Sequence, residues 1–181
     1  MTQDARTPST QAVELRSGAL RLALRPDLGG SIAGLWMDGR PVLRSVEPGD
    51  LAGPRQSGCF PLVPYSNRLG YRRFKWQGRE HTTAANFGAD YPHSLHGCAW
   101  SEPWRVAGQD GRSAELTLTH LSNEHWPFTF DVSQRFELTD DALQVSLTFT
   151  NIDARSQPVG LGWHPYFPKR SRSREIGRAH V

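Results

Sequence analysis

Three short stretches hold the side chains best suited to chemistry: "VGLGWH" at 159–164, "PHSLHG" at 92–97 and "PYSNRLGYRRFKW" at 64–76. Read as a strand, the first puts Val159, Leu161 and Trp163 on one face and Gly160, Gly162 and His164 on the other. The second face is almost bare backbone leading up to one imidazole. Glycine inside a strand often marks a place where a ligand or another backbone comes close. The same pattern fits a bulge, or a core histidine beside a tightly packed neighbouring strand. In the second stretch His93 and His96, with Cys98 two residues on, invite a zinc reading. Structural zinc wants four ligands at tighter pair spacings and catalytic zinc three convergent ones. One surface histidine and one oriented by the loop is the simpler arrangement, and no metal is expected. In the third stretch Arg68, Arg72, Arg73 and Lys75 have no acidic residue among them. Most of these cations are solvated, but an Asn67–Arg68 pair on a proline-braced loop can offer an amide beside a rigid fork of donors, which suits hydroxyls or a carboxylate.

Other chemistries find little support. There is no GxSxG elbow, no phosphate-cradling glycine loop, and no cationic neighbour in sequence to activate Cys59 or Cys98. What remains is histidines, an arginine, and aromatic residues such as Tyr65, Trp100 and Trp126 that read as exposed. That set suits a neutral polar ligand with apolar faces, and sugars are such ligands.

Strands must position these groups, because period-2 alternation dominates and no window runs convincingly at helical spacing. In "FTFDVSQRFEL" Phe128, Phe130, Val132, Phe136 and Leu138 fall on one face, and Thr129, Asp131, Ser133, Arg135 and Glu137 on the other. "ALQVSLTFT" repeats the pattern with Leu143, Val145, Leu147 and Phe149 inward, and "TDD" between the two supplies a turn, so the pair reads as an antiparallel hairpin. Upstream, "LRLAL" at 20–24, Asp38-Gly39 between "SIAGLW" and "PVLR", Gln77-Gly78 after "RFKW", and "GQDG" before "AELTLTH" repeat the signal. Short strands with Gly- and Asp-containing turns predict an all-β sandwich or barrel. Residues 53–70 and 84–103 break the rhythm as long loops, which in a compact β domain are more often functional than idle.

At 181 residues, 37% hydrophobic and 10% aromatic, the chain has room for one globular domain with a sizeable core. Its formal charge of +3 comes from the tail: Lys169, Arg170, Arg172, Arg174 and Arg178 against Glu175 give +4, so the other 168 residues sum to −1. Cations confined to a terminal run are no electrostatic footprint for nucleic acid, and no nucleic-acid partner is expected. The first residues carry no apolar run of signal-peptide or membrane-span length, and the two cysteines are isolated, so a cytoplasmic location and no membrane partner are expected.

Taken in order, "CFPLVPYSNR", then "NFGADYPHSLHG" followed by Trp100, then "GWHPYF" resemble the aldose 1-epimerases, also called galactose mutarotases, from about residue 17 to 168. The resemblance implies a large antiparallel β-sandwich with an open sugar cleft, a monosaccharide as ligand, and interconversion of the α and β anomers of a free hexose without a cofactor. It further implies that His164, in the HPYF motif, is the acid that protonates the ring oxygen. His96, in the LHG motif, assists there and binds sugar, and Arg68, with Asn67 beside it, holds hydroxyls. Histidine suits the acid role, since its ordinary pKa of about 6.5 lets it give and regain a proton near neutrality.

The family's base is a glutamate near the C-terminus, and after Phe167 the only acidic side chain is Glu175, in the basic tail. "EIGRAHV" also reads as a translated sequencing adaptor. The expectations are therefore a flexible 1–16, an incomplete sandwich over 17–168, a non-native 169–181, and a chain inactive on its own. Rival readings are a carbohydrate-binding module that has lost the base, or an epimerase of hexose phosphates, for which the cations from Arg68 to Lys75 are the hint. Oligomeric state is not readable from these residues.

Overall fold

The structure, a computed structural model, describes residues 12–169. The first sheet is a meander of β1 (Val13–Ser17), β2 (Leu20–Arg25), β3 (Ser31–Met37) and β4 (Arg40–Pro41), each strand pairing antiparallel with the next. It begins ahead of residue 17, because Val13, Leu15 and Ser17 alternate inward with exposed Glu14 and Arg16. Five short strands follow: β5 (Pro61–Leu62), β6 (Arg68–Leu69), β7 (Arg73–Trp76), β8 (Arg79–Thr82) and β9 (Ser94–Leu95). The second large sheet is again a meander, of β10 (Arg105–Gln109), β11 (Ser113–His120), β12 (Phe130–Leu138) and β13 (Leu143–Asn151), and β14 (Gly162–Trp163) closes the series. The helical elements among the described residues are four three-residue 3-10 turns. None is long and apolar enough to cross a membrane.

The turn signals act as their chemistry dictates. Asp38 and Gly39 both take positive φ (50° and 71°) between paired Met37 and Arg40, as do Gln77 and Gly78 (47° and 76°) between Trp76 and Arg79. A two-residue hairpin with both centres left-handed matches the natural twist of the strands, and Asp, Asn and Gly tolerate it best. The long hairpin forms with Leu138 opposite Leu143 and Thr139 N–H donating to the Ala142 carbonyl.

The two meanders stack as a sandwich. Leu15, Leu22 and Leu24 of the first sheet share one apolar core with Leu116, Phe130, Val132 and Phe136 of the second, and Trp104 and Trp126 fill it between them. One inward position of β12 is polar. Gln134 is 1% exposed, donates through Nε2 to the Gly30 carbonyl (3.0 Å) and accepts from Trp163 Nε1 (3.2 Å). A buried amide costs free energy unless both ends are bonded; here both are, and the bond to Trp163 ties β14 to the middle of the second sheet.

Candidate active site

β14 is the two-residue centre of a longer extended pairing. Gly162 faces Leu62, Gly160 N–H donates to the Pro64 carbonyl (2.8 Å), His164 N–H to Phe60 (2.9 Å) and Tyr166 N–H to Gly58 (2.9 Å). The proline-rich loop of residues 53–70 is thus the strand partner of the GWHPYF segment. Side chains directly opposite one another in an antiparallel pair touch, as do residues i and i+2 on one strand face. His164 accordingly stacks on both Phe60 (4.9 Å, 21° between planes) and Tyr166 (4.6 Å, 25°), which are themselves 6.2 Å apart, so the three rings form a cluster. The Tyr166 ring also carries the Arg44 guanidinium, 3.8 Å from its centroid, which donates to the carbonyls of Ser57 and Arg55.

The glycine face reads clearly. A Cβ built on Gly160 would meet nothing within 4 Å, and one on Gly162 would make an ordinary 3.5 Å contact with Leu62. Among the described residues no backbone crowds this face, so tight packing is not what the glycines serve.

His96 comes to His164 from β9. Arg68 pairs with Leu95 and Leu69 with Ser94, after which His96 turns into the left-handed region at φ 62°. That turn ends the strand, so His93 and His96 do not simply alternate faces. Each instead accepts a backbone N–H from the facing segment: His93 Nδ1 from Tyr71 (2.9 Å), His96 Nδ1 from Asn67 (3.1 Å). Asn67, itself at φ 63°, also accepts the His96 N–H on its carbonyl (2.7 Å). The rings of His96 and His164 meet edge to face at 5.3 Å and 82°.

The His96 tautomer follows from this contact. A backbone N–H can only donate, so Nδ1 holds the lone pair and the proton of the neutral ring sits on Nε2. Desolvation, then the charges of His164 and Arg68, hold the His96 pKa below its ordinary value. His96 is therefore a neutral donor through Nε2. Arg68 is exposed, and among the described residues its guanidinium makes no hydrogen bond or ion pair. The Asn67 side chain likewise makes none; its observed contribution is through the main chain.

Two positioning devices escape sequence reasoning. Asn86 clamps the residues on either side of His96, donating through Nδ2 to the carbonyls of Leu95 (2.7 Å) and Gly97 (2.8 Å) and accepting Leu95 N–H (2.8 Å). Trp100 Nε1 donates to the same two carbonyls (3.2 and 3.1 Å). Asn86 lies in a stretch with no periodic signal, although its place in the NFGADYPHSLHG motif marks it. Gln134 was legible in principle, since its even number puts it on the inward face of β12.

The structure corrects one expectation. Tyr65, Trp100 and Trp126 are buried at 9%, 7% and 2% exposure. Their polar atoms find internal partners, Tyr65 Oη on Ser94 Oγ (2.9 Å) and Trp126 Nε1 on Gln157 (2.9 Å), so these rings brace the site instead of facing the ligand. Burial also pushes both thiols, Cys59 and Cys98, up to about 12, which makes them poor nucleophiles at neutral pH. Among the described residues no carboxylate is hydrogen-bonded or ion-paired to either His96 or His164; Glu175 lies outside the described residues, as does residue 170 onward of the basic tail.

Set beside known proteins, residues 11–178 match the family model for aldose 1-epimerase. The uncharacterized protein YphB of Escherichia coli K12 is 42% identical over 161 residues, covering 88% of this chain and 53% of YphB. A crystal structure from Escherichia coli K12, provisionally described as an aldose 1-epimerase, superposes with a TM-score of 0.79 at 39% identity, over 87% of this chain and 52% of that one. The Slr1438 protein of Synechocystis sp. PCC 6803 superposes with a TM-score of 0.73 at 26% identity, over 95% of this chain and 60% of its own. The chain spans about half the length of the curated relatives it matches.

Proposed function

Because the chain belongs to the aldose 1-epimerase family, we propose that it carries the acid and sugar-holding side of an active site that interconverts the α and β anomers of a free hexose. Ring opening needs a base to take the proton from the anomeric hydroxyl and an acid to protonate the ring oxygen. Rotation about C1–C2 and reclosure then give the other anomer. The observation that carries the reading is the edge-to-face pair of His96 and His164, with Nδ1 of His96 already occupied.

The two imidazoles divide the work. His96, a neutral Nε2 donor, hydrogen-bonds the ring oxygen and cannot serve as a base at Nδ1 without losing Asn67 N–H. His164 gives its proton to the ring oxygen and takes it back on reclosure. The stack of Phe60 and Tyr166 restricts His164 to a ring plane in which that transfer repeats with the same geometry. Arg68 holds hydroxyls through its free fork, with the Asn67 amide beside it. The base is a carboxylate on the opposite side of the anomeric bond, contributed from outside the described residues.

A second reading rests on a specific observation. With no carboxylate beside either histidine among the described residues, the same cleft suits a module that binds sugar without turning it over. Polarimetry on the full-length gene product separates the two. Fresh α-glucose or α-galactose should lose its excess rotation faster with protein than without. Sugar binding with no acceleration would establish the module instead, and neither binding nor acceleration would remove the sugar reading altogether.

A further inference from the structure

The sandwich does not close on every side. β13 ends the second sheet and β14 pairs with β5 alone, so each presents an edge that no strand pairs with among the described residues. Between these edges runs a groove of about 430 Å³, with Leu35, Val42, Leu143, Val145, Trp163 and Phe167 in its walls. The groove is open where a sandwich is normally filled. On β12 the inward Phe130, Val132 and Phe136 are at most 2% exposed, whereas Leu143, Val145, Leu147 and Phe149, the apolar face of β13, are only half-buried. Phe167 is 70% exposed. Contiguous apolar surface left in water favours whatever covers it, and such patches mark interaction sites.

The strand edges decide what kind of occupant fits. Gly160, His164 and Tyr166 turn their N–H groups toward the Phe60 strand. An antiparallel pair alternates, so Leu161 and Trp163 between them turn theirs to the open side. On β13 the same alternation points every second residue's N–H and carbonyl away from β12. A lipid or a small apolar ligand can fill a groove but cannot satisfy a row of backbone donors and acceptors; extended polypeptide does both. A second copy that paired β13 with β13 about a two-fold axis would leave β14 and the groove open. A partner with several strands covers all three. Polypeptide of this kind exists in the relatives, since about half of YphB, and about half of the matching Escherichia coli crystal structure, lies outside the part that this chain matches.

We propose that the seam between β13 and β14 is a docking surface for a separate β-rich polypeptide, of the kind that makes up the half of YphB that this chain does not match. Its strands extend the β13 and β14 edges, and its apolar side chains fill the groove. Docking takes place on the Trp163 side of β14 and leaves the opposite face, with His164, to the site described above. The inference therefore does not depend on the hexose reading.

The test is co-expression of the full chain, carrying an affinity tag, with the untagged portion of YphB that it does not match, read by co-purification, light scattering and amide exchange. A soluble one-to-one complex with a dissociation constant of about micromolar or tighter is expected. The Leu161 and Trp163 amides should exchange freely in the chain alone and become protected in the complex. Leu161→Pro deletes an outward N–H and leaves the β5 side intact, and Phe167→Asp puts a charge at an exposed position in the groove. Each should weaken the complex by about tenfold or more. Leu121→Asp, on a leucine 69% exposed and outside the groove, should not, and circular dichroism should be unchanged in all three. A YphB portion that stays insoluble or fails to co-purify, or binding indifferent to both seam variants, would overturn the proposal. So would a stable dimer of the chain alone with its β13 amides protected, because the seam would then belong to a second copy.

Discussion

His164→Ala is expected to slow anomer exchange by about 10²- to 10⁴-fold, the usual contribution of a positioned general acid. The geometry adds a stability cost that the bare glycine face alone would not suggest. His164 stacks on two rings, Phe60 and Tyr166, and each such contact is worth about 0.5–1.5 kcal/mol, so the alanine variant should also unfold at lower denaturant. His164→Phe separates the two effects: it keeps the stack and has no proton to give, so stability should return while the rate stays low. Saturation-transfer NMR on the full-length gene product, with urea unfolding alongside, reads both quantities. Activity of either variant within a factor of about three of the parent would take the acid role away from His164.

Gly97→Ala should damage the fold more than any single side-chain deletion in the site. Gly97 has φ +73°, and a Cβ there would stand 1.9 Å from the Val63 carbonyl oxygen and 2.5 Å from the Pro64 nitrogen. Both are backbone atoms and cannot swing aside. The same Val63 oxygen accepts the N–H groups of Cys98 (3.0 Å) and Ala99 (3.2 Å), so pushing it away breaks the seam that joins the His96 turn to the Phe60 strand. The expected loss is about 3–5 kcal/mol, or on the order of 10 °C in melting temperature for a domain of this size. Gly160→Ala is the matched control, because nothing lies within 4 Å of its Cβ and φ is not positive. Equal melting temperatures for the Gly97 variant and the parent would show that the two segments are not packed as described.

Much of the scaffold is written in local pattern. The alternation of β12 and β13, and the Asp38-Gly39 and Gln77-Gly78 turns, need only neighbours a few residues away, and they fold where the pattern puts them. "PVLR" departs from it: the regular strand ends at Pro41, because Val42 N–H still donates to the Leu35 carbonyl (2.8 Å) but Leu35 N–H turns to the Ser45 hydroxyl (3.1 Å) and the ladder goes no further. The site was half legible. Residue types and order bring His96, His164 and Arg68 to notice, and the structure gathers the two histidines and sets Arg68 opposite Leu95. Their supports were not legible, because Asn86, Phe60 and Arg44 act through contacts whose partners lie 9 to 122 residues away. No periodicity encodes such a pairing. The misjudged exposure of Tyr65, Trp100 and Trp126 has a similar origin: an amphipathic ring looks alike in sequence whether its polar tip meets water or a buried serine.

The pairing of β5 with β14 also bears on the order in which the molecule assembles. In both large sheets every strand lies beside its neighbour in sequence, and the β12–β13 hairpin closes over a handful of residues. Leu62 and Gly162 are a hundred residues apart, and closing a loop of that length costs about 3 kcal/mol more chain entropy than closing the hairpin. Non-local contacts of this kind form late, once local ones have shortened the effective loop. Pulse-labelled hydrogen exchange during refolding should therefore protect the β12 and β13 amides before those of Gly160 and His164; simultaneous protection would contradict this order. A partly folded chain on this route already has its sheets but not yet the juxtaposed imidazoles, so the proposed binding of sugar would report that folding has finished, not merely that it has begun.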